Sequence, residues 1–237
     1  MLPYQINSGL RKYFRGHCYT AEIIMLFVYM KCRFSLSYRD LEEMSNIRGV
    51  SIDHATIQRW VIKFSSLIDM RVMARKKPIG MNWRMDETYI KVKGSWMYLY
   101  RAVDTDGNTI DFLFRKNRDK VAALTFFKKC IRYHGKPKSI TTDKSSSNIG
   151  AVRAINKVLP KGKRIRHYKR KYLNNIIEQE HRFIKKRIKP MLGFKSFNCA
   201  RNTLTGIENI RMIQKGQIIG TSRKNSAFEN FKILMAS

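Results

Sequence analysis

The hydrophobic periodicity of this chain changes once, between residues 70 and 80, and that change limits each half to a different kind of structure. Before it, apolar residues recur at helical spacing. Residues 21–30 read as one apolar helix, and Ser37 caps a second over 38–45. Gly49 breaks that helix. Ser51 or Asp53 then opens a third over 55–64, with Ile57, Val61 and Phe64 on one face. Two short helices about a glycine turn predict a helix-turn-helix. In that geometry His54, Thr56, Gln58 and Arg59 face base edges. Glutamine and arginine suit adenine and guanine. A helical hairpin that only packs on a neighbour carries the same pattern.

Residues 71–80 hold Arg71, Arg75, Lys76, Lys77 and Pro78 and read as a basic linker. Beyond it, 83–92 and 96–103 are rich in aromatic and β-branched residues and are separated by a Lys93-Gly94-Ser95 turn. A second turn over 104–108 leads to a strand over 109–114. Asp119 caps a helix over 120–134, ended by Gly135 ahead of Pro137. A short strand over 139–142, a helix over 145–159 and a strand within 161–171 follow. Asn174 or Asn175 caps a helix through Ile188, and a last helix runs over 197–214. The expected architecture is therefore α/β. It has a small all-α domain over 1–70, a linker over 71–80, a mixed sheet flanked by helices over 81–220, and a tail over 221–237.

Lys and Arg total 48 against 17 acidic residues, a net charge of +31, which points to a polyanionic partner. The basic residues are spread along the whole chain, as an extended nucleic-acid footprint requires. The longest apolar run, 23–30, is far short of the roughly 20 residues of a spanning helix, so no membrane partner is expected. The first residues lack the pattern of a secretory signal, which predicts a cytoplasmic protein. Cys18, Cys32, Cys130 and Cys199 form no metal-ligand spacing and are expected to be reduced and mostly buried. The histidines, His134 among them, lack ligand spacing and read as structural or phosphate-facing.

With acids so scarce, those inside structured elements carry weight. Asp86 lies within an otherwise central strand, where a carboxylate costs several kcal/mol unless compensated. Glu87, on the opposite face, is expected to be the partly exposed one. Asp143 directly follows Ile140-Thr141-Thr142, at the carboxyl end of a strand, where open α/β sheets place ligands. Its ordinary role is an Asx turn or helix cap. Glu178 lies early in its helix, with His181, Arg182 and Lys185 at i+3, i+4 and i+7. Taken singly it reads as a surface pair with Arg182 worth about 0.3–0.5 kcal/mol. Together, two strand aspartates and a helix glutamate can converge on hard cations such as Mg²⁺. Two such ions serve in-line phosphoryl transfer without His or Cys. The chain has no Gly-rich phosphate loop, GxSxG or HExxH.

Five blocks add a resemblance. They are Leu-Ser-Tyr-Arg-Asp-Leu-Glu-Glu-Met at 36–44, Asp-His-Ala-Thr-Ile-Gln-Arg-Trp-Val at 53–61, Trp-Arg-Met-Asp-Glu-Thr-Tyr-Ile-Lys-Val at 83–92, Thr-Thr-Asp-Lys-Ser at 141–145 and Asn-Asn-Ile-Ile-Glu-Gln-Glu-His-Arg at 174–182. With them the chain resembles the bacterial insertion-sequence transposases of the insertion sequence six family, in the DDE superfamily. The resemblance implies a ribonuclease-H-like catalytic domain behind a helix-turn-helix, with Asp86, Asp143 and Glu178 holding two Mg²⁺ or Mn²⁺ ions. The 34 residues between Asp143 and Glu178 match the family interval, and Lys185 stands at its shared basic position. Glu180, where relatives often carry Asp, and residues 29–32 depart from the pattern. The implied partners are terminal inverted repeats and target DNA, bound by a homodimer or higher oligomer in the bacterial nucleoid, with Arg182 among the DNA contacts. A helix-turn-helix repressor and a structure-selective nuclease are the alternatives, separated by metal-dependent cleavage and by end joining.

Overall fold

In the computed structural model, which describes residues 5–169 and 175–237, the helices and strands follow one another as α1 (Ala21–Arg33), α2 (Tyr38–Ile47), α3 (His54–Ala74), β1 (Asn82–Val92), β2 (Ser95–Asp104) and β3 (Thr109–Arg115). Then come α4 (Lys120–His134), β4 (Ser139–Thr142), α5 (Ser146–Lys157), β5 (Arg166–Lys169), α6 (Asn175–Ile188), α7 (Phe197–Gln214) and α8 (Ala227–Ala236). They form two compact units, Met1–Lys77 with Ile184–Ser237, and Pro78–Phe183. Among the described residues no helix is long and apolar enough to cross a membrane. All four cysteines are free, with Cys32 and Cys130 buried.

In the helical unit the starts of the helices follow their caps. Ser37 and Asp40 form a capping box at α2, Asp53 accepts from Thr56 N at 3.0 Å at α3, and Gly49 takes φ +70° in the turn between them. Two expectations need correction. α3 does not stop near residue 64, because Leu67, Ile68 and Val72 continue its buried face, so the expected linker begins inside a helix. The expected 221–237 tail contains α8. There Ser226 and Glu229 form a second capping box, and Phe231 and Leu234 are fully buried. Asn7 N donates to Met235 O at 2.9 Å, so the segment before α1 meets α8 in this unit.

α7 was expected to belong with the sheet over 81–220, yet it packs along α3. Asn202 Nδ2 donates to Ile62 O at 3.2 Å and Asn209 Nδ2 to Asp69 Oδ1 at 2.9 Å. Gly206 permits the approach: a Cβ there would lie 2.6 Å from Cys32 Sγ and 2.7 Å from Ser65 Oγ. The sheet-bearing unit therefore ends at Phe183.

That unit is the mixed, helix-flanked sheet the sequence calls for. Strand order is β3-β2-β1-β4-β5, antiparallel from β1 to β3 and parallel from β1 through β4 to β5, which is a ribonuclease-H-like sheet. Lys93 and Gly94, at φ +47° and +79°, form the two-residue turn that joins Val92 to Ser95. Asp104 is fully buried and accepts from Gly80 N, Asp106 N and Asn108 N, which fixes the next turn. Trp83, Met85, Tyr100, Ala102 and Ile110 point to one face and pack on Phe126 and Phe127 of α4 and Val152 of α5. α6 covers the other face near Asp86. The proposed cap Asn174 lies outside the described residues.

Candidate active site

β1 and β4 run parallel with Trp83 opposite Ile140 and Arg84 opposite Thr141, an offset of 57 positions. Continuing that register by two residues sets Asp143, the first residue after β4, opposite Asp86. Neighbouring strands lie about 4.7–4.9 Å apart, so the sheet itself brings the two carboxylates together. Asp86 is 21% exposed at its side chain, and its carboxyl is pushed up to about 7. Burial is the main cause, followed by the charge of Glu87, with Asp143 adding to it against the pull of Arg118 and a backbone hydrogen bond. Oxygen donors under mutual repulsion are a donor set that suits a hard divalent cation.

Asp143 does take the Asx-turn role, since Oδ1 accepts from Ser145 N at 3.0 Å, but it has further partners. Asn148 Nδ2 donates to Oδ1 at 3.1 Å and Arg118 Nη2 to Oδ2 at 3.3 Å. The same two side chains hold Glu87, through Arg118 Nε and through Asn148 Nδ2 at 3.2 Å. Glu87 is thus not the exposed member of its pair. Its side chain is 1% exposed, because its face of β1 is the one covered by α4 and α5. Asn148, five residues after Asp143 on an expected helix, was legible as a neighbour. Arg118 was not, being one of 48 basic residues with no local signal.

α6 buries Ile177, Glu180 and His181, an i, i+3, i+4 stripe. Arg101 Nη2 donates to Glu180 Oε2 at 3.4 Å with both side chains buried, and Arg101 is the cross-strand partner of Asp86. His181 Nδ1 lies 3.7 Å from Asp86 Oδ2. His181 therefore faces the sheet, while Glu178, Arg182 and Lys185 share an exposed flank. Glu178 precedes His181 by three residues, about 4.5 Å along the axis. Among the described residues, ligand atoms of Asp86, Asp143 and Glu178 do not all fall within 4.8 Å of one another; those of Glu42, Asp53 and His54 do.

The expected base-reading residues separate. His54 Nδ1 is 2.9 Å from Glu42 Oε2 and 3.2 Å from Asp53 Oδ1, and Gln58 Nε2 approaches Cys199 Sγ at 3.9 Å. Both are engaged inside the helical unit. Arg59, which donates to Thr56 Oγ1 at 2.7 Å, is the exposed member of the four.

A family model described as a DDE domain matches residues 80–217. The transposase for insertion sequence-like element IS431mec of Staphylococcus aureus is 41% identical over 203 residues, covering 86% of this chain and 89% of that protein. The transposase for insertion sequence element IS257 in transposon Tn4003, from the same organism, matches over the same lengths at the same identity. Among solved structures, the HTLV-2 integrase catalytic core domain in complex with magnesium aligns at a TM-score of 0.46 and 16% identity, over 65% of this chain and 98% of that one. With its ribonuclease-H-like sheet and this extent of identity, the chain belongs to the DDE-domain transposases of the insertion sequence six family.

Proposed function

We propose that this protein is a DNA transposase that cuts the ends of its own element and joins them to target DNA, with Asp86, Asp143 and Glu178 as its metal-binding residues. The observation that carries the assignment is the shared β1–β4 register, which sets Asp86 opposite Asp143. Two Mg²⁺ or Mn²⁺ ions on this triad would activate the attacking oxygen and stabilise the leaving one. In the first step water attacks a phosphodiester and frees a 3′-hydroxyl. In the second, that hydroxyl attacks a target phosphodiester, one P–O bond forming as another breaks. No covalent protein–DNA intermediate is needed.

The chain's own residues orient the parts. Asn148 and Arg118 fix the Asp143 carboxylate, and Arg101 with Glu180 holds α6 so that Glu178 enters from the Asp86 side of the sheet. Lys185 and Arg182, exposed beside Glu178, bind DNA phosphates next to the reacting bond. The helical unit binds the terminal inverted repeats, with Arg59 at the exposed start of α3. Joining two ends calls for a homodimer or higher oligomer on DNA, acting in the bacterial cytoplasm on nucleoid DNA.

The test is strand transfer on labelled element ends with Asp86→Asn, Asp143→Asn and Glu178→Gln. Each is expected to lose roughly 100-fold or more, exceeding the loss of an outer-shell partner, while end binding persists. Full activity in any one of them would remove that residue from the triad.

A further inference from the structure

A concavity of about 540 Å³ lies between α5 and β5, the edge strand next to β4, and four of its seven lining residues are Lys or Arg. Arg153 and Lys157 come from α5, Arg164 from the loop before β5, and His167 and Lys169 from β5 itself. No carboxylate lines it, and none of the ion pairs among the described residues involves Arg153, Lys157, Arg164 or Lys169. Burial, with the charges of Lys169 and Arg153, lowers the pKa of His167, as expected where positive charge is concentrated without a counter-ion. Asn156 Nδ2 donates to Ile165 O and Asn156 Oδ1 accepts from Ile165 N, both at 2.9 Å, so the loop between the two walls is fixed.

Basic residues on an edge strand also deter strand pairing, and β5 alone would be served by that explanation. Arg153 and Lys157 are not. They lie four apart on a helix, where like charges repel, and they line the same hollow as the strand residues. The hollow also adjoins the last residue of β4. Lys169 is opposite Thr142 in the β4–β5 register, His167 Nε2 is 2.9 Å from Thr142 Oγ1, and Asp143 follows Thr142.

We propose that this concavity between α5 and β5 binds the phosphodiester backbone of duplex DNA. Lys169 pairs with Thr142 across one strand spacing, and Arg164, Asn156 and Lys157 carry the hollow back toward the start of β5. The identity of the ligand as DNA rests on the proposed function; the place where it binds does not.

The experiment measures duplex binding across salt by fluorescence anisotropy, using the full chain and a non-specific DNA duplex of about 30 bp. The variant is Arg153→Gln/Lys157→Gln/Arg164→Gln. The control, Lys128→Gln/Arg132→Gln/Lys224→Gln, removes the same charge from exposed positions elsewhere. Three lost phosphate contacts reduce the slope of log K against log salt by about 2.7, and the control leaves it nearly unchanged. Circular dichroism melts check that both variants fold; if the triple variant does not, Lys157→Gln alone is expected to reduce the slope by about 0.9. Equal slopes for variant and wild type, an equal loss in the control, or tighter binding of an RNA duplex that the same substitutions abolish would each overturn the proposal. A failed strand-transfer assay with an intact slope effect would refute the transposase reading and leave the groove standing.

Discussion

Arg101 and Glu180 meet at 3.4 Å beneath α6, and Arg101 is also the residue opposite Asp86 across β1 and β2. One buried ion pair therefore sets where the helix bearing Glu178 rests on the strand bearing Asp86. Removing one partner of a buried pair costs about 3–5 kcal/mol, whereas replacing both by apolar groups is often close to neutral. Glu180→Ala should lower stability by roughly that amount in urea unfolding, and Arg101→Met/Glu180→Met should recover most of it. If the pair also positions Glu178, the stable double variant will still lose strand transfer while Glu180→Asp regains part of it. Wild-type rates in the double variant would make the pair purely structural.

The carboxyl of Asp86, pushed up to about 7 from an ordinary 3.8, makes stability depend on pH. The folded protein keeps a proton that the unfolded chain releases, so stability present near pH 4 is lost as pH rises through about 7. In the absence of divalent metal, Asp86→Asn should match wild type near pH 4 and exceed it by roughly 2–4 kcal/mol near pH 8. Thermal melts in chelator at several pH values measure the difference, and parallel curves would contradict it.

Divalent metal should reverse that penalty. At a concentration about ten times its dissociation constant, a bound ion stabilises the native state by about 1.4 kcal/mol. Mg²⁺ is expected to raise the Tm of wild type and to have a smaller effect on Asp143→Asn. An equal response would place the metal elsewhere, and the Glu42, Asp53 and His54 group would be the next to mutate.

Gly206 offers a sign test in the helical unit. Glycine to alanine inside a helix normally gains up to about 1 kcal/mol. Here the added methyl would meet Cys32 Sγ at 2.6 Å and Ser65 Oγ at 2.7 Å, and overpacking costs about 1–3 kcal/mol. Gly206→Ala should therefore lower the urea midpoint, and a raised midpoint would show that α7 can move aside.

What could be read from the sequence was local. Asp119 accepts from Ala122 N and Gly135 ends α4 at φ +78°, where capping chemistry places them. Asp86 and Asp143 stood out because a charge inside a strand and a carboxylate at a strand end each conflict with their surroundings. The contacts that complete the site were invisible for the opposite reason. Arg118 reaches Glu87 over 31 positions and Glu180 reaches Arg101 over 79, and neither residue is unusual where it stands. The exposure of Glu87 was misjudged because alternation along β1 shows that the two faces differ but not which helices cover them. α7 went to the wrong unit for a related reason, as its apolar stripe is the same whether it meets a sheet or α3.

The meeting of α3 with α7, and of Asn7 with Met235, also bears on the protein's manufacture. A ribosome releases the first three helices early, but the helices that cover them are encoded after the whole sheet. The sheet unit has all its strands in hand while the helical unit still lacks α7 and α8. The helical unit is thus completed after the sheet, and a chain broken off before α7 leaves the early helices without the partners that bury them.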